Sequence, residues 1–155
     1  MVSTKLDEGR KIRVMLVDDS AVFLRAASFY LHQYPEIEVV STLCRSDEAV
    51  AQAQLLRPQI VLLDPGLPGR PGLEIIAQLK AVMPETRVII LTLLDIEPFR
   101  YTALAAGAAA LVSKMSVRTD LLAAIRRAAG VDKVDARAAV LPPAQKGPKG
   151  IVATR

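Results

Sequence analysis

The chain has 155 residues, 52% hydrophobic and 23% charged, which suits one globular domain with a real core and excludes a disordered bulk. It shows no apolar run near the ~18 residues of a membrane span and no signal-peptide core in MVSTKLDEGRK, and its single cysteine excludes an internal disulfide framework and fits a cytoplasmic protein. Of the net charge of +4, +3 falls after Gly130 (Lys133, Arg137, Lys146, Lys149 and Arg155 against Asp132 and Asp135), leaving +1 for the rest and no folded basic face for nucleic acid.

Residues 1–10 read as an N-terminal extension. IRVMLV (Ile12–Val17) is an apolar run ending on Asp18-Asp19, as a buried strand would. Ser20 then predicts the cap of a helix in which Phe23, Leu24, Ala27 and Leu31 share a face, stopped by Pro35. His32, the only histidine, falls late in it and reads as a surface or partly packed imidazole. IEVVST (Ile37–Thr42) alternates weakly and predicts an edge strand, with Cys44 a packed, inert thiol near its end. Ser46 predicts the cap of a second helix, with Asp47 and Glu48 in its first turn and Arg57-Pro58 closing it.

IVLL (Ile60–Leu63) has no polar relief and ends abruptly on Asp64, before the loop PGLPGRPG. That loop has neither a P-loop lysine nor dinucleotide-fingerprint spacing, so ordinary loop chemistry accounts for its glycines. A third helix is predicted over about residues 73–83, up to Pro84. RVIILT (Arg87–Thr92) is another buried strand. Pro98 suits the first turn of a short fourth helix ended by Gly107, with Phe99 packing and Tyr101 exposed. AALV (Ala109–Val112) predicts a short strand, followed by Ser113-Lys114. The last helix runs over about residues 117–129 with Leu121, Leu122, Ile125 and Ala128 inward. Strands alternating with helices, joined by right-handed crossovers, make a doubly wound parallel α/β sheet over residues 11–130. Residues 131–155, with a proline pair, glycines and no sustained period, read as linker or disordered tail.

Polar residues punctuate the carboxyl ends of these strands: Asp18 and Asp19 after the first, Asp64 after the third, Thr92 ending the fourth and Lys114 after the fifth. In a doubly wound sheet these ends converge on one crevice. Singly, each has a plain explanation: a turn-capping acid, a strand-end threonine, a surface lysine. Together they form a chemistry. Crowded carboxylates repel unless a cation joins them, and Mg²⁺ prefers oxygen ligands while keeping several waters. A lysine adds a point charge and a threonine a hydroxyl donor. Mg²⁺, Lys114 and Thr92 would then receive a phosphoryl group, with Asp64 the nucleophile that forms an aspartyl phosphate.

The segments VMLVDDS, IVLLDPGLPGRPGLE, VIILT, AAGAAALVSK and DLLAAIRRA strongly resemble the receiver domain of bacterial two-component response regulators, over roughly residues 11–129. The resemblance implies a flavodoxin-like five-stranded sheet in the order 2-1-3-4-5. It implies that Asp64 accepts a phosphoryl group from a histidine kinase or phosphotransfer protein. Asp18, Asp19, Asp64 and the backbone carbonyl of Gly66 would hold Mg²⁺, and Thr92 and Lys114 would contact the phosphoryl oxygens. The GLPGRPGLE loop is most similar to the branch whose receivers commonly precede a helix-turn-helix DNA-binding domain. Three residues depart from the pattern. Ala110 stands where the family usually carries a rotating Tyr or Phe, Leu93 where a small residue is usual, and Met115 where many members have a proline.

The function expected is a phosphorylation-controlled signalling module with weak self-dephosphorylation, either free-standing or the N-terminal part of a longer transcriptional regulator. A Mg²⁺-dependent phosphatase would want a second acid where Gly66 stands. A degenerate receiver acting as a constitutive scaffold is the remaining alternative, kept open by Ala110. Self-association or effector docking is expected through the fourth helix, fifth strand and fifth helix, where the alanine-rich stretch 103–110 permits close approach. No helix-turn-helix pattern follows Ala129, so neither direct DNA binding by this chain nor membrane contact is expected.

Overall fold

The apolar runs that end on polar residues become parallel strands, and the amphipathic stretches between them become the covering helices. The computed structural model describes residues 9–131. In chain order these form β1 (Ile12–Val17), α1 (Ala21–His32), β2 (Ile37–Leu43), α2 (Ala49–Leu56), β3 (Ile60–Leu63), α3 (Gly72–Val82), β4 (Arg87–Thr92), α4 (Ile96–Ala106), β5 (Ala110–Ser113) and α5 (Leu122–Ala128). The sheet is parallel throughout, in the order β2-β1-β3-β4-β5, as the sequence led us to expect. Residues 1–8 and 132–155, and with them most of the predicted extension and tail, lie outside the described residues. Among the described residues no helix is long and apolar enough to cross a membrane.

The sheet divides the interior in two. Successive strand residues point to opposite faces, so Val14 and Leu16 of β1 join one core with Leu24 and Leu31 of α1 and Ile125 of α5. Met15 and Val17 join the other, with Ala53 of α2, Ile76 of α3 and Ala103 of α4. The central strand β3 is fully buried along its length, the solvent-free setting its unrelieved apolar run predicted.

Several local expectations need correction. Ser46 does not cap α2. That helix starts at Ala49 with Glu48 at the N-cap and no side-chain cap bond, because the Ser46 hydroxyl is turned to the loop after β3. Cys44 is exposed rather than packed, since it lies just past the end of an edge strand. The last helix is not uniform: a 3-10 turn (Lys114–Ser116) and a π turn (Val117–Leu121) precede α5. There the hydroxyls of Ser116 and Thr119 donate to the carbonyls of Ser113 and Ser116, competing with regular helical bonding. Of the alanine-rich stretch, Ala103 and Ala108 are buried in the core and cannot line an outer surface. Ala105 and Ala109 remain exposed, and α4 also presents Tyr101, at 84% exposure, and Leu104.

Candidate functional site

Strand register builds the site. Val17 pairs with Leu63, so Asp18 and Asp64 are the next residues on neighbouring strands, about 5 Å apart by strand spacing. Thr92 pairs with Ser113, so Lys114 leaves β5 directly beside the end of β4. Asp18, Asp64 and Lys114 thus stand one step beyond a hydrogen-bonded ladder, Thr92 on its last step and Asp19 two steps beyond.

The carboxylates of Asp18, Asp19 and Asp64 present oxygens that all lie within 4.8 Å of one another. Asp18 is buried, Asp64 half-buried and Asp19 exposed. Local bonds orient two of them. Asp18 Oδ1 accepts from the Ser20 N–H at 2.8 Å, while Ser20 Oγ accepts from the Phe23 N–H and caps α1 as expected. Asp64 Oδ1 accepts from the Gly66 N–H at 2.8 Å.

Lys114 supplies the counter-charge. Its Nζ lies 2.6 Å from Asp64 Oδ2 and is also paired with Asp18 Oδ2, with the lysine side chain only 9% exposed. Burial opposes its charge, but hydrogen bonds to Asp18 and Asp64 outweigh that, and its pKa ends above the usual lysine range. The ammonium also sits 4.5 Å from the centre of the Phe23 ring, a cation–π contact. The sequence marks Phe23 only as part of an apolar helix face. Thr92 is buried and its Oγ1 accepts from the Leu94 N–H at 3.0 Å, which leaves the hydroxyl hydrogen to be donated. The donor set is all oxygen, and it opens to solvent at Asp19 and Gly66. That suits a hard divalent cation with waters in its shell.

The sequence-predicted residues therefore meet in one crevice, with one displacement. Ala110 is not the side chain that faces α4. It packs in the α1 and α5 core, while Leu111 packs in the core that holds Phe99 and Ala103 of α4. Alternation along β5 thus turns Leu111, not Ala110, toward the α4 side of the sheet. Leu93 extends into solvent at 68% exposure.

The sequence matches the response regulator receiver domain over residues 14–126. The chain belongs to this family. This receiver is 32% identical over 116 residues to the response regulator protein VraR of Staphylococcus aureus, covering 75% of this chain and 56% of that protein. It is 31% identical over 116 residues to the oxygen regulatory protein NreC of Staphylococcus epidermidis, covering 74% and 53%. The chain spans about half the length of the curated relatives it matches. Among solved structures, a LuxR-family two-component response regulator from an Aurantimonas species superposes with a TM-score of 0.74 at 28% identity, covering 78% of this chain and 86% of that one. The receiver of a NarL response regulator from Mycobacterium tuberculosis gives 0.74 at 28%, covering 78% and 98%. The response regulator domain of Thermotoga maritima CheB gives 0.72 at 29%, covering 79% and 99%. Phosphorylation-dependent signalling fits this membership, and neither the phosphatase nor the scaffold alternative is favoured.

Proposed function

We propose that this receiver accepts a phosphoryl group on Asp64 from a histidine kinase or phosphotransfer protein in the cytoplasm, with Mg²⁺ held by Asp18, Asp19, Asp64 and the backbone carbonyl of Gly66. The observation that carries the reading is the three-carboxylate cluster in which Asp64 is bonded on one oxygen by a backbone N–H and on the other by the half-buried Lys114. Mg²⁺ bound there supplies charge neutralisation for the incoming phosphoryl oxygens. An Asp64 carboxylate oxygen forms the new bond to phosphorus as the bond from phosphorus to the donor's histidine nitrogen breaks, and that nitrogen leaves with the electron pair. Lys114, already against Asp64 Oδ2, follows the negative charge onto the phosphoryl group. Thr92 donates its hydroxyl to a phosphoryl oxygen. Hydrolysis returns the carboxylate, and it is slow because Gly66 carries no side chain to activate water.

The signal then leaves through protein contacts on α4, β5 and α5, to an effector or a second copy, and this stretch does not itself read DNA. The test is direct. With acetyl phosphate and Mg²⁺, mass spectrometry should find one added phosphoryl group, removed by hydroxylamine as an acyl phosphate is, and Asp64→Asn should gain none. Equal labelling of that variant would refute the assignment.

A further inference from the structure

The loop 65–71 between β3 and α3 carries the Gly66 backbone, yet its shape is set largely from outside. Gly72 lies so close to Pro65 that a Cβ there would sit 2.6 Å from Pro65 Cα, so the loop closes on itself. Leu67 anchors it in the core against α2–α4, at 7% exposure. Its middle is held by one side chain. Ser46 is 0% exposed, and its hydroxyl lies 3.2 Å from the carbonyl oxygen of Pro68 and 3.1 Å from that of Arg70. One hydroxyl hydrogen is therefore shared between two acceptors. Gly69 lies between them at φ +108°, where a Cβ would come within 2.1 Å of Asp47 Oδ1 and 2.8 Å of Ser46 Oγ. A side chain at Gly69 would need an unfavourable positive φ and would have to displace the Ser46 hydroxyl and the Asp47 carboxylate.

We propose that Ser46 is a positioning residue for the acid cluster. By clasping the carbonyls of Pro68 and Arg70 it holds the loop backbone in the course that sets the Gly66 N–H against Asp64 Oδ1. This deepens the reading above and rests on it. The hydroxyl plays no part in capping α2, whose start has no side-chain cap. Both of its bonds go to the loop, across 22 and 24 residues of sequence. Pro68, Gly69 and Arg70 are exposed, so the loop can give way without opening the core. Removing it loosens the loop while the fold survives.

The experiment compares wild type, Ser46→Ala, Ser46→Thr and Gly69→Ala. Mg²⁺ is titrated against backbone amide NMR shifts at Gly66, and phosphorylation by acetyl phosphate is followed as a function of Mg²⁺ concentration. Ser46→Ala should weaken Mg²⁺ binding about tenfold, the scale seen when a residue orienting a metal ligand is lost. It should raise the Mg²⁺ needed for half-maximal labelling equally and leave the rate at saturating Mg²⁺ nearly unchanged. Ser46→Thr, which keeps the hydroxyl, should recover the affinity, and Gly69→Ala should copy the loss with the hydroxyl in place. Wild-type Mg²⁺ affinity in both Ser46→Ala and Gly69→Ala, whatever their melting temperatures, would overturn the proposal. A wild type that neither binds Mg²⁺ nor takes up a phosphoryl group would instead overturn the acceptor reading, and this inference with it.

Discussion

Lys114 is the cation this acidic crevice holds of its own, and it pairs with one buried and one half-buried carboxylate at once, leaving the cluster net negative. Breaking a buried ion pair by removing one partner costs about 3–5 kcal/mol. The opening toward solvent at Asp19 and Gly66 lowers that figure, so Lys114→Met should lose about 2 kcal/mol in metal-free buffer. Added Mg²⁺ should return much of it, because binding to the native state alone stabilises by mass action. Urea unfolding with chelator and with Mg²⁺ measures both values, and a deficit unaffected by Mg²⁺ would mean the carboxylates do not share a cation site. The site residues were legible in the sequence because each ends or follows a run of aliphatic residues with no charge inside it. Ser46 and Phe23 were not. Ser46 looks like a helix cap, and its real partners lie across a loop closure that no local pattern encodes. Phe23 reads as one more apolar position on α1, and only the packing of α1 beside the end of β5 sets its ring under an ammonium.

At the level of elements, strands were the easiest to read and β5 the hardest. AAGAAAL offers no alternation of large and small or polar and apolar residues, so nothing in it fixes which side chain faces which layer. The β5 boundary accordingly shifts by one residue from expectation, and Leu111 rather than Ala110 packs on the side of α4. Loading the site with the phosphoryl mimic beryllofluoride should produce NMR shift changes in α4 that are altered by Leu111→Ala and left alone by Ala110→Ser. The reverse pattern would restore Ala110 to that role. A second element-scale contact ties the turn before β2 to α5. Arg126 Nε donates to Glu36 Oε1 at 3.1 Å, and this hydrogen bond holds the Glu36 pKa below the usual glutamate range. Because the folded pKa is lowered, the pair stabilises the protein above the unfolded value near ~4.3 and loses that contribution as pH falls through the folded value. Both side chains are about one-third exposed, so solvent screening limits the effect. Glu36→Gln should cost less than ~1 kcal/mol at neutral pH. The gap from wild type should close in acid, as melting temperatures from pH 7 down to 3 would register, and a gap that persists at pH 3 would point to packing instead.

For the whole molecule, the decisive feature is that one sheet separates two cores, each closed by its own helices. Its thermodynamic consequence is independence. Ile125 of α5 and Ile76 of α3 are both fully buried but belong to different cores. Ile125→Val and Ile76→Val should each cost about 1 kcal/mol. In the double variant the two losses should sum to within about 0.5 kcal/mol, as distant substitutions without shared partners do. Pairs chosen within one core, such as Ile76 with Leu79, should depart from additivity. A double-mutant cycle across the sheet that showed strong coupling would mean the two layers form one cooperative packing unit. If they are independent, substitutions can accumulate in the α2–α4 layer and in the α1 and α5 layer at separate paces, neither unsettling the packing of the other.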